Sequence, residues 1–200
     1  MMDSYRERTL GLMQQRGALR PRDLDVYGIP RHYLHLLSRE GSVQRVGRGL
    51  YVPAALDPSE HHTLAEACAR VPSGVVCLLS ALRFHGVTTQ NPFRVWMALE
   101  EKAWQPRVDH PPLRFVRFSG DAWTHGVERH VVEGVPVRVY SVAKTVADCF
   151  KYRNKIGIDV AVEALRDVWR ERRATVDEIW RAAAACRMTR VITPYLQAIT

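Results

Sequence analysis

Glycine and proline cut the first 53 residues into short pieces, and that punctuation narrows the folds open to this chain more than any other feature. Gly17, Gly28 and Gly41 close three successive helical patterns, and Gly47-Arg48-Gly49 reads as the turn of a hairpin. Glycine suits each stop because it reaches positive φ without a Cβ clash. The first pattern covers residues 4–15. Ser4, with Glu7 three residues on, reads as a capping box, and Leu10, Met13 and Tyr5 supply an apolar stripe. The second, residues 20–27, carries Pro21 in its first turn, where a missing N–H costs nothing. The third, residues 30–41, turns Leu34 and Leu37 inward and Arg31, His32, His35 and Arg39 outward. Tyr33 reads either as core or as a phosphate contact. In the hairpin, Val43, Val46, Leu50 and Val52 are the apolar strand positions, and Arg45 and Arg48 project from it.

Three short helices followed at once by a basic hairpin predict a winged helix-turn-helix over residues 1–54. Such a module offers one helix to a major groove and an arginine-tipped ribbon to the backbone or minor groove. Side chains near the start of the recognition helix reach base edges, and Arg31 suits guanine O6/N7. The candidate DNA-binding set is Arg22, Arg31, His32, His35, Arg39, Arg45 and Arg48. Charge supports the placement. Residues 1–53 carry nine Arg against five Asp/Glu, or +4, while the remaining 147 residues share the other +4 of the net +8. The competing reading is a small three-helix fold whose basic face is solvated and used for protein contacts.

At 200 residues and 46% apolar, the chain can bury a real core in one or two domains. No apolar run approaches the ~20 residues a bilayer span needs, and residues 1–8 lack a signal-peptide core. A cytoplasmic location is the expectation. Cys68, Cys77, Cys149 and Cys186 are scattered without metal-ligand spacing and read as buried small hydrophobes.

Beyond a linker at residues 54–59, residues 55–200 read as a larger α+β domain with a small sheet and several helices. Helices are expected over 60–71 and 75–85, strands over 93–99 and 113–118, and a hairpin over 130–140 turning at Glu133-Gly134. Ser141 caps a helix to residue 152, another follows over 159–172, Thr175 caps a third from Val176, and a last short one covers 189–199.

Two stretches of that domain, Ser80-Ala81-Leu82-Arg83-Phe84-His85-Gly86 and residues 139–157 (VYSVAKTVADCFKYRNKIG), make the chain resemble the AbiEi family, the antitoxins and transcriptional regulators of type IV toxin–antitoxin and phage abortive-infection systems. The resemblance covers nearly the whole chain. It implies a repressor that binds inverted repeats at its own promoter and a homodimer on double-stranded DNA. It also implies a functional partner, a nucleotidyltransferase-like toxin with which no stable complex forms. No cofactor, metal or catalytic residue is implied.

The same stretches have plain readings. Lys144, Lys151, Arg153 and Lys155 form a basic run that reads as a solvated face or, alternatively, as a second polyanion surface. Asp148, one turn after Lys144, suits an i,i+4 ion pair. His85 reads as a helix-end histidine, and His61-His62 lacks carboxylates at ligand spacing. One enzymatic alternative stands: a Mg-dependent nuclease targeted by the winged helix. Glu100-Glu101-Lys102 at a strand end is the last part of a nuclease metal pattern, but residues 75–90 contain no upstream Asp or Glu. The plainer reading of that triplet is an exposed turn.

Overall fold

The computed structural model describes residues 2–47, 49–54, 59–88 and 90–199. The chain divides into two compact units. One takes the chain to Pro72 together with His130–Val137; the other comprises Ser73–Arg129 and Arg138–Thr200. The N-terminal unit therefore runs past residue 54 and takes in a distant hairpin tip.

The N-terminal unit begins with α1, Met2–Arg16. Ser4 lies inside this helix and does not cap it. Gly17 ends it at φ 74°, and its N–H donates to Met13 O at 2.8 Å. The second segment is a 3-10 helix, Pro21–Tyr27, closed by Gly28 in the left-handed region. The third, α2, is Tyr33–Arg39 and starts later than residue 30. The reason lies in Pro30-Arg31-His32, which forms a turn whose Pro30 carbonyl accepts from Tyr33 N–H at 3.0 Å. Strands β1 (Val43–Gly47) and β2 (Leu50–Pro53) pair antiparallel with an irregularity between Arg45 and Gly47. Leu19 bridges to Tyr51 beside them. Met13, Leu19, Leu24, Ile29, Tyr33, Leu34, Leu37, Val43 and Tyr51 form one buried cluster, so Tyr33 is core. Helix α3, His62–Arg70, completes the run. Gly47 sits so close to it that an added Cβ would meet Ala69 O at 2.7 Å. Of the expected linker, residues 55–58 lie outside the described residues.

The hairpin tip is tied to this unit through one carboxylate. Glu133 Oε1 accepts from Ser59 N–H at 2.6 Å and Ser59 Oγ at 2.8 Å, and Oε2 lies 2.7 Å from His62 Nδ1. Burial raises the Glu133 pKa, but the bonds from His62 and Ser59 outweigh it and hold the group below its ordinary 4.5. A depressed acid pKa stabilises the fold above the unfolded value, and that stability is lost as pH falls through the folded one. Between about pH 5 and 3 the melting temperature of the wild type should therefore fall more steeply than that of Glu133→Gln. Parallel slopes in a thermal melt series would contradict the assignment.

The second unit is built on a five-stranded mixed sheet in the order β5-β4-β3-β7-β6. The strands are β3 (Val75–Val76), β4 (Val95–Glu100), β5 (Leu113–Phe118), β6 (Val127–Val132) and β7 (Val135–Tyr140), of which the stretch His130–Val137 at the β6–β7 turn is counted with the first unit. β3 pairs antiparallel with β4 and parallel with β7, and β4 pairs parallel with β5. The expected helix over 75–85 is thus split. Val75–Val76 are sheet residues, and only Leu78–Phe84, α4, is helical. The β6–β7 turn falls at Glu133-Gly134 as expected, with both residues at positive φ, the geometry of a tight hairpin turn.

Helices α5 (Asp121–Thr124), α6 (Val142–Lys151), α7 (Arg153–Ile156), α8 (Ile158–Arg170), α9 (Val176–Ala185) and α10 (Thr189–Ile199) complete the unit. Ser141 caps α6, its Oγ accepting from Lys144 N–H. Thr175 and Glu178 close a reciprocal capping box on α9. The core joins one sheet face to α4, α6, α8, α9 and α10 through Trp96, Phe118, Val146, Phe150, Leu165 and Ile179. The family-like stretch 139–157 is central to it, since Ala143 to Phe150 are all buried. No helix among the described residues is long and apolar enough to cross a membrane.

Candidate nucleic-acid interface

The N-terminal unit brings most of the sequence-predicted basic residues to its surface. Arg22, Arg31, His32, His35, Arg39 and Arg45 are all exposed. Arg22 sits on the 3-10 segment. His35 and Arg39 project from α2, whose Leu34 and Leu37 are buried on the opposite side as the apolar spacing requires. Arg31 and His32 precede the first turn of α2 and do not lie within it. Arg45 extends from β1, its Nε–H donating to Gly47 O at 3.3 Å. Arg48, the expected wing tip, lies outside the described residues.

These cations differ in what already holds them. Asp25 clamps Arg31 from the 3-10 segment, Nε to Oδ1 at 2.8 Å and Nη2 to Oδ2 at 2.5 Å. The Arg31 hydrogen bond lowers the Asp25 pKa, and Asp25 raises that of Arg31. Two of the five guanidinium N–H groups are used by this fork, which leaves the Nη1/Nη2 edge to solvent. Other arginines of the unit are engaged internally. Arg6 meets Glu40 at 3.5 Å, Arg8 donates to Tyr27 O at 2.8 Å, and Arg16 donates to Tyr27 Oη at 2.8 Å. The side chains of Arg22, His35 and Arg39 make no hydrogen bond or ion pair among the described residues. Sequence reasoning missed Asp25 and Tyr27 as organisers of the arginines. The only signal was the proximity of Asp25 to Arg31 in a segment broken by Gly28.

The second basic run does not form one surface. Lys144 is completely buried, and its Nζ lies 2.6 Å from both carboxylate oxygens of Asp148. It is also 4.0 Å from the Tyr140 ring centroid and 4.5 Å from that of Phe118. Membership of Lys144 in a polyanion surface is therefore corrected: the buried face of α6 carries it into the core. The i,i+4 pair with Asp148 is present. Lys151 is half-buried over Phe118, Arg153 donates to Phe150 O at 2.8 Å, and Lys155 lies over Tyr152.

Glu100 ends β4, and Glu101 and Lys102 follow in an exposed turn. Among the described residues, no group of three or more His, Cys, Asp or Glu is placed to hold a metal ion. All four cysteines are buried and outside any disulfide. Burial pushes the Cys186 thiol up to about 12, and Cys77 and Cys149 are raised by the same cause. Thiols so raised stay protonated and unreactive. His85 Nε2 bonds Tyr140 O at 2.7 Å from the end of α4.

Residues 12–54, from within α1 to the end of β2, match the family model described as transcriptional regulator, AbiEi antitoxin. No curated protein matches the chain.

Proposed function

We infer, from a chain whose N-terminal module belongs to the AbiEi antitoxin transcriptional regulators, that it is a sequence-specific repressor of its own operon and the antitoxin of a type IV toxin–antitoxin pair. The coarser statement, a transcriptional regulator and antitoxin of abortive-infection systems, rests on the family match. The finer reading rests on one observation. Arg22, His35 and Arg39, exposed and unpaired among the described residues, lie on and beside the short helix that precedes a two-stranded ribbon. In this reading α2 enters a major groove, the ribbon meets the backbone, and two copies read an inverted repeat about one duplex turn apart. The compact N-terminal unit carries DNA recognition, and the second unit carries toxin neutralisation without a stable toxin complex. The partner gene encodes a nucleotidyltransferase-like enzyme. The protein acts in the cytoplasm and has no catalytic role.

A mobility shift on the chain's own upstream fragment, with a scrambled fragment beside it, tests this. Selective retention of the promoter fragment is expected, and equal or absent retention of both overturns the reading. Arg39→Ala should weaken both fragments alike and flatten the log K against log[salt] slope by about 1, as loss of one phosphate contact does. Arg31→Ala should cost about 1–3 kcal/mol on the promoter fragment and less on the scrambled one if its open edge reads a guanine. Equal losses on both would move Arg31 to the backbone.

A further inference from the structure

A cavity of about 570 Å³ opens where α8 ends and α9 begins, lined by Trp169, Arg170, Arg172, Ala174, Thr175 and Val176. Its lining contains an indole, two guanidinium groups and no carboxylate. Neither the Arg170 nor the Arg172 guanidinium makes a hydrogen bond or ion pair among the described residues. The arginines nearby are different. Arg173 donates to His85 O at 2.6 Å and lies 3.5 Å from Glu171, and Arg181 pairs with Asp177 at 2.7 Å. Those two line a smaller neighbouring cavity of about 270 Å³ that also holds Glu128 and Glu178, so its charges cancel.

Arg172 occupies a position that backbone geometry would give to glycine. It follows the α8 cap residue Glu171 at φ 54°, while its N–H donates to Trp169 O and that of Arg173 to Val168 O. This is the left-handed close of a helix, where glycine avoids the Cβ penalty. An arginine there carries local strain and adds a second positive charge to the cavity lining.

Unpaired guanidinium groups bind phosphate through charged, forked hydrogen bonds, and an indole offers a stacking surface to any base. The volume falls within the range of small-molecule sites. We propose that this cavity binds a nucleotide, its phosphate held by Arg170 and Arg172 and its base stacked on Trp169. The nucleotide is either free or the end of an RNA strand, and the recognition chemistry is the same for both.

Calorimetric titration of the full chain tests the site with AMP, GMP, CMP and UMP, the matching nucleosides, inorganic phosphate, and a short single-stranded RNA carrying a 5′-phosphate. Mononucleotides should bind with a Kd below ~1 mM, with nucleoside and phosphate each at least about tenfold weaker. Tighter binding of the RNA assigns the ligand to an RNA end, and equal binding assigns it to a free nucleotide. Arg172→Gly separates binding from folding. It should lose at least about tenfold in affinity while its melting temperature holds or rises, because glycine relieves the strain. Promoter retention by this variant should match the wild type, so failure of this site and failure of the DNA reading are told apart. The proposal is overturned if no mononucleotide binds, if inorganic phosphate binds as tightly as the nucleotides, or if Arg172→Gly binds like the wild type.

Discussion

Lys144→Met should destabilise the chain by about 3–5 kcal/mol, the range for removing one partner of a buried ion pair. The substitution strands Asp148, which is wholly buried and whose pKa burial already raises against the pull of Lys144. Without the ammonium, the carboxylate keeps as its side-chain hydrogen-bond donor among the described residues the Cys186 thiol, whose Sγ lies 3.2 Å from Oδ1. The double variant Lys144→Met/Asp148→Leu removes both charges at once and should recover most of the loss, since well-packed apolar replacements of buried pairs are often neutral. Denaturant unfolding of the three proteins checks this. If the single and double variants unfold at the same midpoint, the cost comes from packing against Tyr140 and Phe118 and not from the unpaired charge. In that case the pair contributes little beyond volume.

Gly134→Ala should cost at least about 2 kcal/mol, because two independent penalties fall on one residue. Its φ of 75° disfavours any Cβ, and the added methyl would collide with the backbone of Gly17 at its carbonyl carbon and oxygen. Neither neighbour can yield by rotating a side chain, because the contact is backbone on backbone. Gly17→Ala runs into the same contact from the other side, 2.5 Å from Gly134 Cα, and carries its own φ of 74°. The two single variants should show similar losses in urea unfolding. A Gly134→Ala protein as stable as the wild type would mean that the two turns separate freely.

Elements with a local signal were legible before any coordinates. Ser141 and Thr175 announce the starts of α6 and α9 because a side-chain oxygen there meets an otherwise unpaired N–H. Glu133-Gly134 announces a hairpin because glycine reaches positive φ without a Cβ clash. Elements that depend on tertiary partners were not. Val75–Val76 is too short for any periodicity and reads as part of an apolar helix until β4 and β7 flank it. The four-residue helices α5 and α7 leave no pattern at all.

The candidate interface divides in the same way. The inward spacing of Leu34 and Leu37 fixes which residues of α2 face outward, so the exposure of His35 and Arg39 follows from the sequence. The start of α2 at Tyr33 and the clamp of Asp25 on Arg31 do not follow, because both depend on how the 3-10 segment and the Pro30 turn are set. Lys144 carries the same lesson with the opposite sign. In a basic run it reads as solvated, and only the packing of α6 against the sheet takes it inside, with the Asp148 spacing as the one hint.

The assignment of His130–Val137 to the N-terminal unit bears on the order in which that unit can be completed. Chains are made from the N-terminus, and domains tend to fold as units during synthesis. Here the last part of the first unit is translated only at residue 137 of 200, after more than a quarter of the chain, residues 73–129, has been spent on the other unit. Until then Ser59 and His62 have no Glu133 to hold, and Gly17 has no opposing turn. A nascent chain halted between residues 72 and 130 would display the arginines of the first unit on a body still missing one of its parts.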